Sequence, residues 1–149
     1  MGQSLSQMYI HLVFRTKFRY PYISSVIEKE LHSYIAGALK KYDSPAIKIN
    51  SVPDHIHILF RLSKNYALAK VVEEIKKESS KWMKAKGIEG FTWQIGYGAF
   101  SVSSSNVNVV KSNIIRQKEH HKIRTFKEEV EVFIKECEVI EYDEKYFWS

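Results

Sequence analysis

The side chains with the most chemistry to offer lie in Asp54-His55-Ile56-His57-Ile58-Leu59-Phe60. In a β-strand, residues two apart share a face. His55, His57, Leu59 and Arg61 therefore point one way, and Ile56, Ile58, Phe60 and Leu62 the other. Two neighbouring imidazoles can each give a ring nitrogen to one divalent metal. Two ligands are not a site, so a third must come from elsewhere, with positions left for water or substrate oxygens. A bare His-x-His pair also commonly does no more than hydrogen-bond water or backbone.

A second stretch, Phe14-Arg15-Thr16-Lys17-Phe18-Arg19-Tyr20, interleaves cations with aromatics. Phosphate contact combined with base stacking is how single strands are held, though a strand end with core aromatics would read the same. Arg15, Lys17 and Arg19 are the candidate DNA contacts here. Lys76, Lys77, Lys81 and Lys84 fall along one flank of a predicted helix and could track a nucleic-acid backbone or simply be solvated. His11 shares a strand face with Tyr9 and Arg15, and His120 and His121 close a later helix. Histidines in a last turn also suit the helix dipole.

Charge is unevenly spread. Residues 128–149 hold Glu128, Glu129, Glu131, Glu136, Glu138, Glu141, Asp143 and Glu144 against Lys135 and Lys145, a net of −6. The overall charge is +6, which leaves +12 on residues 1–127. A basic body suits a polyanionic partner, of which nucleic acid is the usual one; a solvated lysine face is the alternative.

These groups need elements to position them. The 149 residues are 44% hydrophobic and 13% aromatic, too apolar for a disordered chain, and they fit one domain spanning 1–149. No apolar run is long enough to span a membrane, and MGQSLSQMY lacks the features of a signal peptide. Gly2 and Ser6 fit a loose myristoylation pattern, without a second anchoring signal. Cys137 is the only cysteine, which excludes a disulfide framework and points to a reducing, cytoplasmic setting.

Alternation over 8–15 predicts a strand. Ser25 and Glu28 suggest a capping box opening a helix that ends near Tyr42. AIKINSV (46–52) and HIHILFRL (55–62) flank the Pro53-Asp54 turn as an antiparallel hairpin. A helix over about 67–86 stops at Gly87, and a fourth strand lies within 94–103. This β-α-β-β-α-β order predicts an α+β, ferredoxin-like antiparallel sheet (core about 8–103) with both helices on one face and the other open. A helix over about 106–121 follows, then an acidic helix and tail over about 125–149.

Five ordered blocks resemble one known family: YIHLVFRTKFR (9–19), VPDHIHIL (52–59), KKESSKWMK (76–84), FTWQIGYGAFSVS (91–103) and IIRQKEHHKIRTFKEE (114–129). The resemblance is to the single-tyrosine HUH transposases, which mobilise insertion sequences as single-stranded DNA, and to their relatives associated with repetitive extragenic palindromes. It implies Mg²⁺ or Mn²⁺ held by His55, His57 and Gln117, a hairpin-bearing single-stranded DNA partner, and a homodimer. DNA contacts are expected at Arg15, Lys17, Arg19, Lys77, Lys81 and Arg116. The family's tyrosine, one helical turn before the glutamine, attacks the scissile phosphate, giving a 5′-phosphotyrosine link and a free 3′-hydroxyl.

At that position this chain has Asn113, which is no nucleophile for phosphate, and no tyrosine lies anywhere in 98–141. Cleavage by the usual route is therefore expected to fail. Tyr97 is the nearest substitute in sequence, although its place in a glycine-aromatic strand looks structural. A non-catalytic hairpin-binding regulator derived from a transposase is the alternative. An RNA-recognition module would need stacking aromatics on the exposed face of the third strand, where this chain has His55 and His57.

Overall fold

Alternating apolar residues in 8–15 and 55–62 form the two central strands. The structure, a computed structural model, describes residues 3–121 together with Glu128 and Glu131. Strand β1 spans Met8–Arg15, helix α1 Glu28–Lys41, β2 Ala46–Val52, β3 His55–Leu62, α2 Leu68–Ala85 and β4 Gly98–Val102. Helices α3 (Val107–Ile115) and α4 (Gln117–His121) follow. The expected acidic helix near 125–138 and the tail beyond it lie outside the described residues, apart from Glu128 and Glu131.

The sheet order is β2-β3-β1-β4, every neighbour antiparallel, as the β-α-β-β-α-β reading requires. One face of the sheet carries the main core. Ile10, Leu12 and Phe14 of β1 and Ile56, Ile58 and Phe60 of β3 meet Leu31, Ile35 and Leu39 of α1 and Val71, Val72 and Ile75 of α2. Burying each such side chain is worth about 1.5–3 kcal/mol, so strand register is strongly set by this face. Gly87 ends α2 in the left-handed region (φ +89°), as its position predicted.

Two local expectations need correction. The Ser25–Glu28 capping box does not form, because a turn delivers the chain to α1 and the Ser24 carbonyl accepts from the Ile27 and Glu28 amides instead. The helix expected over 106–121 is broken at Arg116 (φ −90°, ψ 13°) into α3 and α4.

His32 of α1 sits 2.7 Å from Ser51 Oγ. Burial, more than its neighbouring charges, pushes its pKa down to about 4. The unfolded chain then binds the proton more tightly, so stability falls as pH drops from about 6.5 to about 4. We expect that decline to be shallower in His32→Asn, by about 1–2 kcal/mol once the residue's partial exposure is allowed for. Urea titrations at pH 4.5 and 7 would measure it; parallel pH profiles for the two proteins would refute it.

Candidate functional site

The Pro53-Asp54 turn makes His55 the first residue of β3, and the pleat puts His57 on the same face. Register fixes their neighbours. Asn50 of β2 and Val13 of β1 flank His57, while Val52 and Arg15 flank His55. The two imidazole centroids are 5.4 Å apart with the rings at 68°. Contrary to the expected open face, both are buried, at 0% and 4% exposure. Helices α3 and α4 pack over β2, and α3 reaches β3, so the face opposite the main core is itself covered there.

Each histidine has its Nδ1 engaged. Asp54 Oδ1 accepts from His55 Nδ1 at 2.8 Å, and His11 Nε2 lies 2.9 Å from His57 Nδ1. Partners of this kind behind a ligating histidine fix its tautomer and raise its basicity. With Nδ1 so engaged, Nε2 would be the ligating atom of each ring if the pair holds a metal. With the proton on His57 Nδ1, His11 accepts through Nε2 and keeps its own proton on Nδ1. His11, itself buried, therefore stands behind His57 and does not face solvent.

Gln117 opens α4 and is 1% exposed. Its Oε1 and Nε2 are both buried without a hydrogen-bond partner among the described residues. A buried amide left so costs about 1–3 kcal/mol, which is what a side chain awaiting a ligand would show. Among the described residues no three His, Cys, Asp or Glu side chains form a metal cluster, and Gln117 is the residue of another type that the sequence reading offers as third ligand. Two imidazoles and an amide oxygen fit a divalent cation that keeps open positions.

Asn50 holds this arrangement together. A helix end leaves its last carbonyls unsatisfied, and the break at Arg116 exposes such a set. Asn50 Nδ2 donates to the carbonyls of Ile114 (2.9 Å) and Ile115 (3.3 Å). Its Oδ1 accepts from Lys118 Nζ (3.2 Å) and the Ser51 amide (3.0 Å). Ile114, itself buried, adds an apolar anchor. The residue beside His57 thus clips the α3–α4 junction to the sheet. Sequence reasoning missed Asn50, Asp54 and the supporting role of His11. A polar residue in phase with Lys48 and Val52 was the signal for the first, and adjacency to His55 for the second.

Asn113 is exposed. Because the helix is interrupted at Arg116, positions 113 and 117 do not lie on one continuous helical stripe, as i and i+4 of an unbroken helix would. Tyr97 packs against the main core, as a structural residue does. Arg116 is exposed at the break.

Lys77 and Lys81 are exposed on α2, in the helical layer across the sheet from His55 and His57. Lys76 is not part of a solvated flank. Its Nζ donates to the carbonyls of Gln94 (2.5 Å), Ile95 (3.1 Å) and Gly96 (3.2 Å), and burial lowers its pKa to about 8.

Beside His55, Arg15 Nε donates to Gln94 Oε1 at 3.0 Å. Its pKa is lowered by burial and then by Arg19, with Asp54 opposing. Arg19 Nε lies 3.5 Å from Asp54 Oδ2. Phe18 (φ 58°, ψ 17°) and Arg19 (φ 59°) occupy the left-handed region in succession. That costs roughly 1–2 kcal/mol per residue without a glycine, and such strain tends to collect at functional sites.

A four-stranded ferredoxin-like sheet with a His-hydrophobic-His strand, capped by helices that follow the last strand, is the arrangement that the resemblance to HUH transposases led us to expect. The chain belongs to the IS200-like transposase family, whose model ("Transposase IS200 like") matches residues 4–117. Its fold is similar to a protein of Deinococcus radiodurans R1 described as a transposase, with TM-score 0.62 and 18% identity over 78% of this chain and 96% of that one. It is also similar to a REP-associated tyrosine transposase bound to a REP hairpin, with TM-score 0.60 and 14% identity over 81% of this chain and 74% of that one. No curated protein matches the chain.

If His55 is a metal ligand, Asp54→Ala should weaken Mn²⁺ binding about 10–100-fold, the usual cost of removing a partner behind a ligating imidazole. Isothermal titration of wild type and variant would measure this; equal affinities would remove Asp54 from the site.

Proposed function

We propose that this chain binds hairpin-bearing single-stranded DNA and holds a scissile phosphate at a divalent-metal site formed by His55, His57 and Gln117. The observation that carries the reading is the buried Gln117 amide, unpartnered among the described residues, on the helix that packs over β2, the strand next to the histidines. Mg²⁺ or Mn²⁺ bound there would polarise the phosphate. Asp54 and His11 orient the imidazoles, Asn50 seats the helix break, and burial strengthens electrostatic interactions by excluding water. Arg15, Lys17 and Arg19 flank the pair and would take neighbouring phosphates. Membership of the IS200-like family and the fold shared with a protein bound to a REP hairpin support DNA of this kind as partner.

Asn113 favours binding without cleavage by this chain, since its amide offers no nucleophile at the position where the family's tyrosine is expected. The regulator reading and the cleavage-deficient transposase reading therefore share one binding site. Lys77, Lys81 and Arg116 belong to the same proposal as outer backbone contacts, and a second copy of this chain as its partner on DNA.

The test is a mobility-shift comparison of a DNA hairpin carrying single-stranded flanks with a scrambled strand of equal length, with and without Mn²⁺. Tighter binding to the hairpin, enhanced by Mn²⁺ and lost from that enhancement in His57→Ala, is expected. Equal binding to both strands with no metal effect would overturn the reading.

A further inference from the structure

We infer that the loop after β1 is a stacking platform for an unpaired base of the bound strand, with Phe18 as its surface and Asp54 tying it to the histidine pair. This rests on the single-strand reading above and adds a base-binding subsite to it.

Phe18 is 87% exposed and Tyr20 59% exposed, although large aromatics are ordinarily buried. The loop nevertheless has a defined shape. Thr16 Oγ1 donates to the Tyr20 carbonyl (2.7 Å), the Thr16 amide to the Asp54 carbonyl (2.9 Å), and the Lys17 amide to the Thr92 carbonyl (2.9 Å). Tyr20 rests on Tyr22 (ring centroids 4.6 Å), which meets Phe91, and Phe91 meets Trp93 of the main core. A chain of rings therefore runs from the core to Tyr20 and anchors the far end of the loop that carries Phe18.

The backbone argues the same way. Phe18 and Arg19 keep left-handed conformations that a glycine would adopt without strain. The loop is held in that form with the Phe18 ring out in solvent. Lys17 Nζ lies 5.3 Å from the Phe18 ring centroid, so positive charge sits beside the π surface. A ring flanked by Lys17 and Arg19 matches a nucleotide, whose base stacks while its phosphate meets a cation.

Position completes the case. Arg15 is the cross-strand partner of His55, and Phe18 is three residues further on, at most roughly 11 Å along the chain. Asp54 spans the gap. One carboxylate oxygen accepts from His55 Nδ1 at 2.8 Å and the other lies 3.5 Å from Arg19 Nε. A base on Phe18 would thus belong to a nucleotide close to the phosphate held at the histidine pair.

The experiment is fluorescence anisotropy with labelled dT12 and a 12-mer of abasic sites, in EDTA so that the metal site plays no part. Wild type, Phe18→Ala, Phe18→Trp and Phe18→Gly are compared. Phe18→Ala is expected to bind dT12 about 10-fold more weakly, about 1.4 kcal/mol, within the range for stacking of one base. Its affinity for the abasic strand should stay within twofold of wild type, and Phe18→Trp should retain dT12 binding. Phe18→Gly should lose dT12 affinity like the alanine variant while melting no lower than wild type, because it relaxes the backbone. That split separates a binding role from a structural one.

Phe18→Ala binding dT12 within twofold of wild type, or losing equally on both strands, would overturn the platform alone. Wild type that binds neither strand would overturn the platform together with the single-strand reading.

Discussion

Replacing Asn113 by tyrosine is expected to give this protein a covalent DNA adduct that the chain with Asn113 is not expected to form. In the reaction the phenol loses its proton, its oxygen bonds to the scissile phosphorus, and the 3′ oxygen leaves and takes up a proton. The rest of the proposed site (His55, His57, Gln117 and the partners behind the two imidazoles) is already present. Position 113 is exposed, so the larger side chain should alter stability by no more than about 0.5 kcal/mol. Gaining a nucleophile is an effect on the order of 10³-fold or more. The measurement is a denaturing gel of labelled single strands carrying a hairpin, incubated with Mn²⁺ and either protein.

An adduct with Asn113→Tyr alone means that one residue has silenced an otherwise complete site. Cleavage by the chain with Asn113 would mean that another group attacks and that position 113 was wrongly matched. Hairpin binding without cleavage by either protein would point to the break at Arg116. An interrupted helix changes how position 113 is directed relative to Gln117, and the protein would then act as a binder whatever stands at 113.

Asn50→Leu should be the most damaging single change outside the proposed ligands. It removes both donors to the α3 carbonyls and the acceptor shared by Lys118 and the Ser51 amide. Leaving the part-buried Ile114 carbonyl and Ser51 amide unpaired costs about 1 kcal/mol each. Unclipping α4 also takes Gln117 from its seat, so Mn²⁺ affinity should fall at least 10-fold, close to the loss in Gln117→Leu. His55 and His57 stand on β3, held by the main core, and should stay in place. Urea unfolding and Mn²⁺ titration on the same samples would check both parts. A variant that loses stability but keeps full Mn²⁺ affinity would show that Gln117 is not a ligand.

These expectations draw on different levels of the molecule. The strands, the two main helices and the sheet order follow from local signals: period-two alternation in 8–15 and 55–62, helical spacing of Leu31, Ile35, Val71 and Ile75, and turns at Pro53-Asp54 and Gly87. Alternation also placed His55 and His57 on one face, because the pleat leaves no other choice. The five sequence blocks identified the family.

What stands behind and over the histidines could not be read along the chain. His11 meets His57 across 46 positions, and Asn50 reaches Ile114 across 64. Such contacts depend on register and on where helices land after the sheet has formed. The break at Arg116 belongs with them. Local spacing favours an unbroken helix through 106–121, and its interrupted end is the one whose carbonyls accept from Asn50. A sequence therefore determines which faces its residues share, whereas only packing decides which faces are covered. Here that difference turns an expected open pair of histidines into a buried, oriented one.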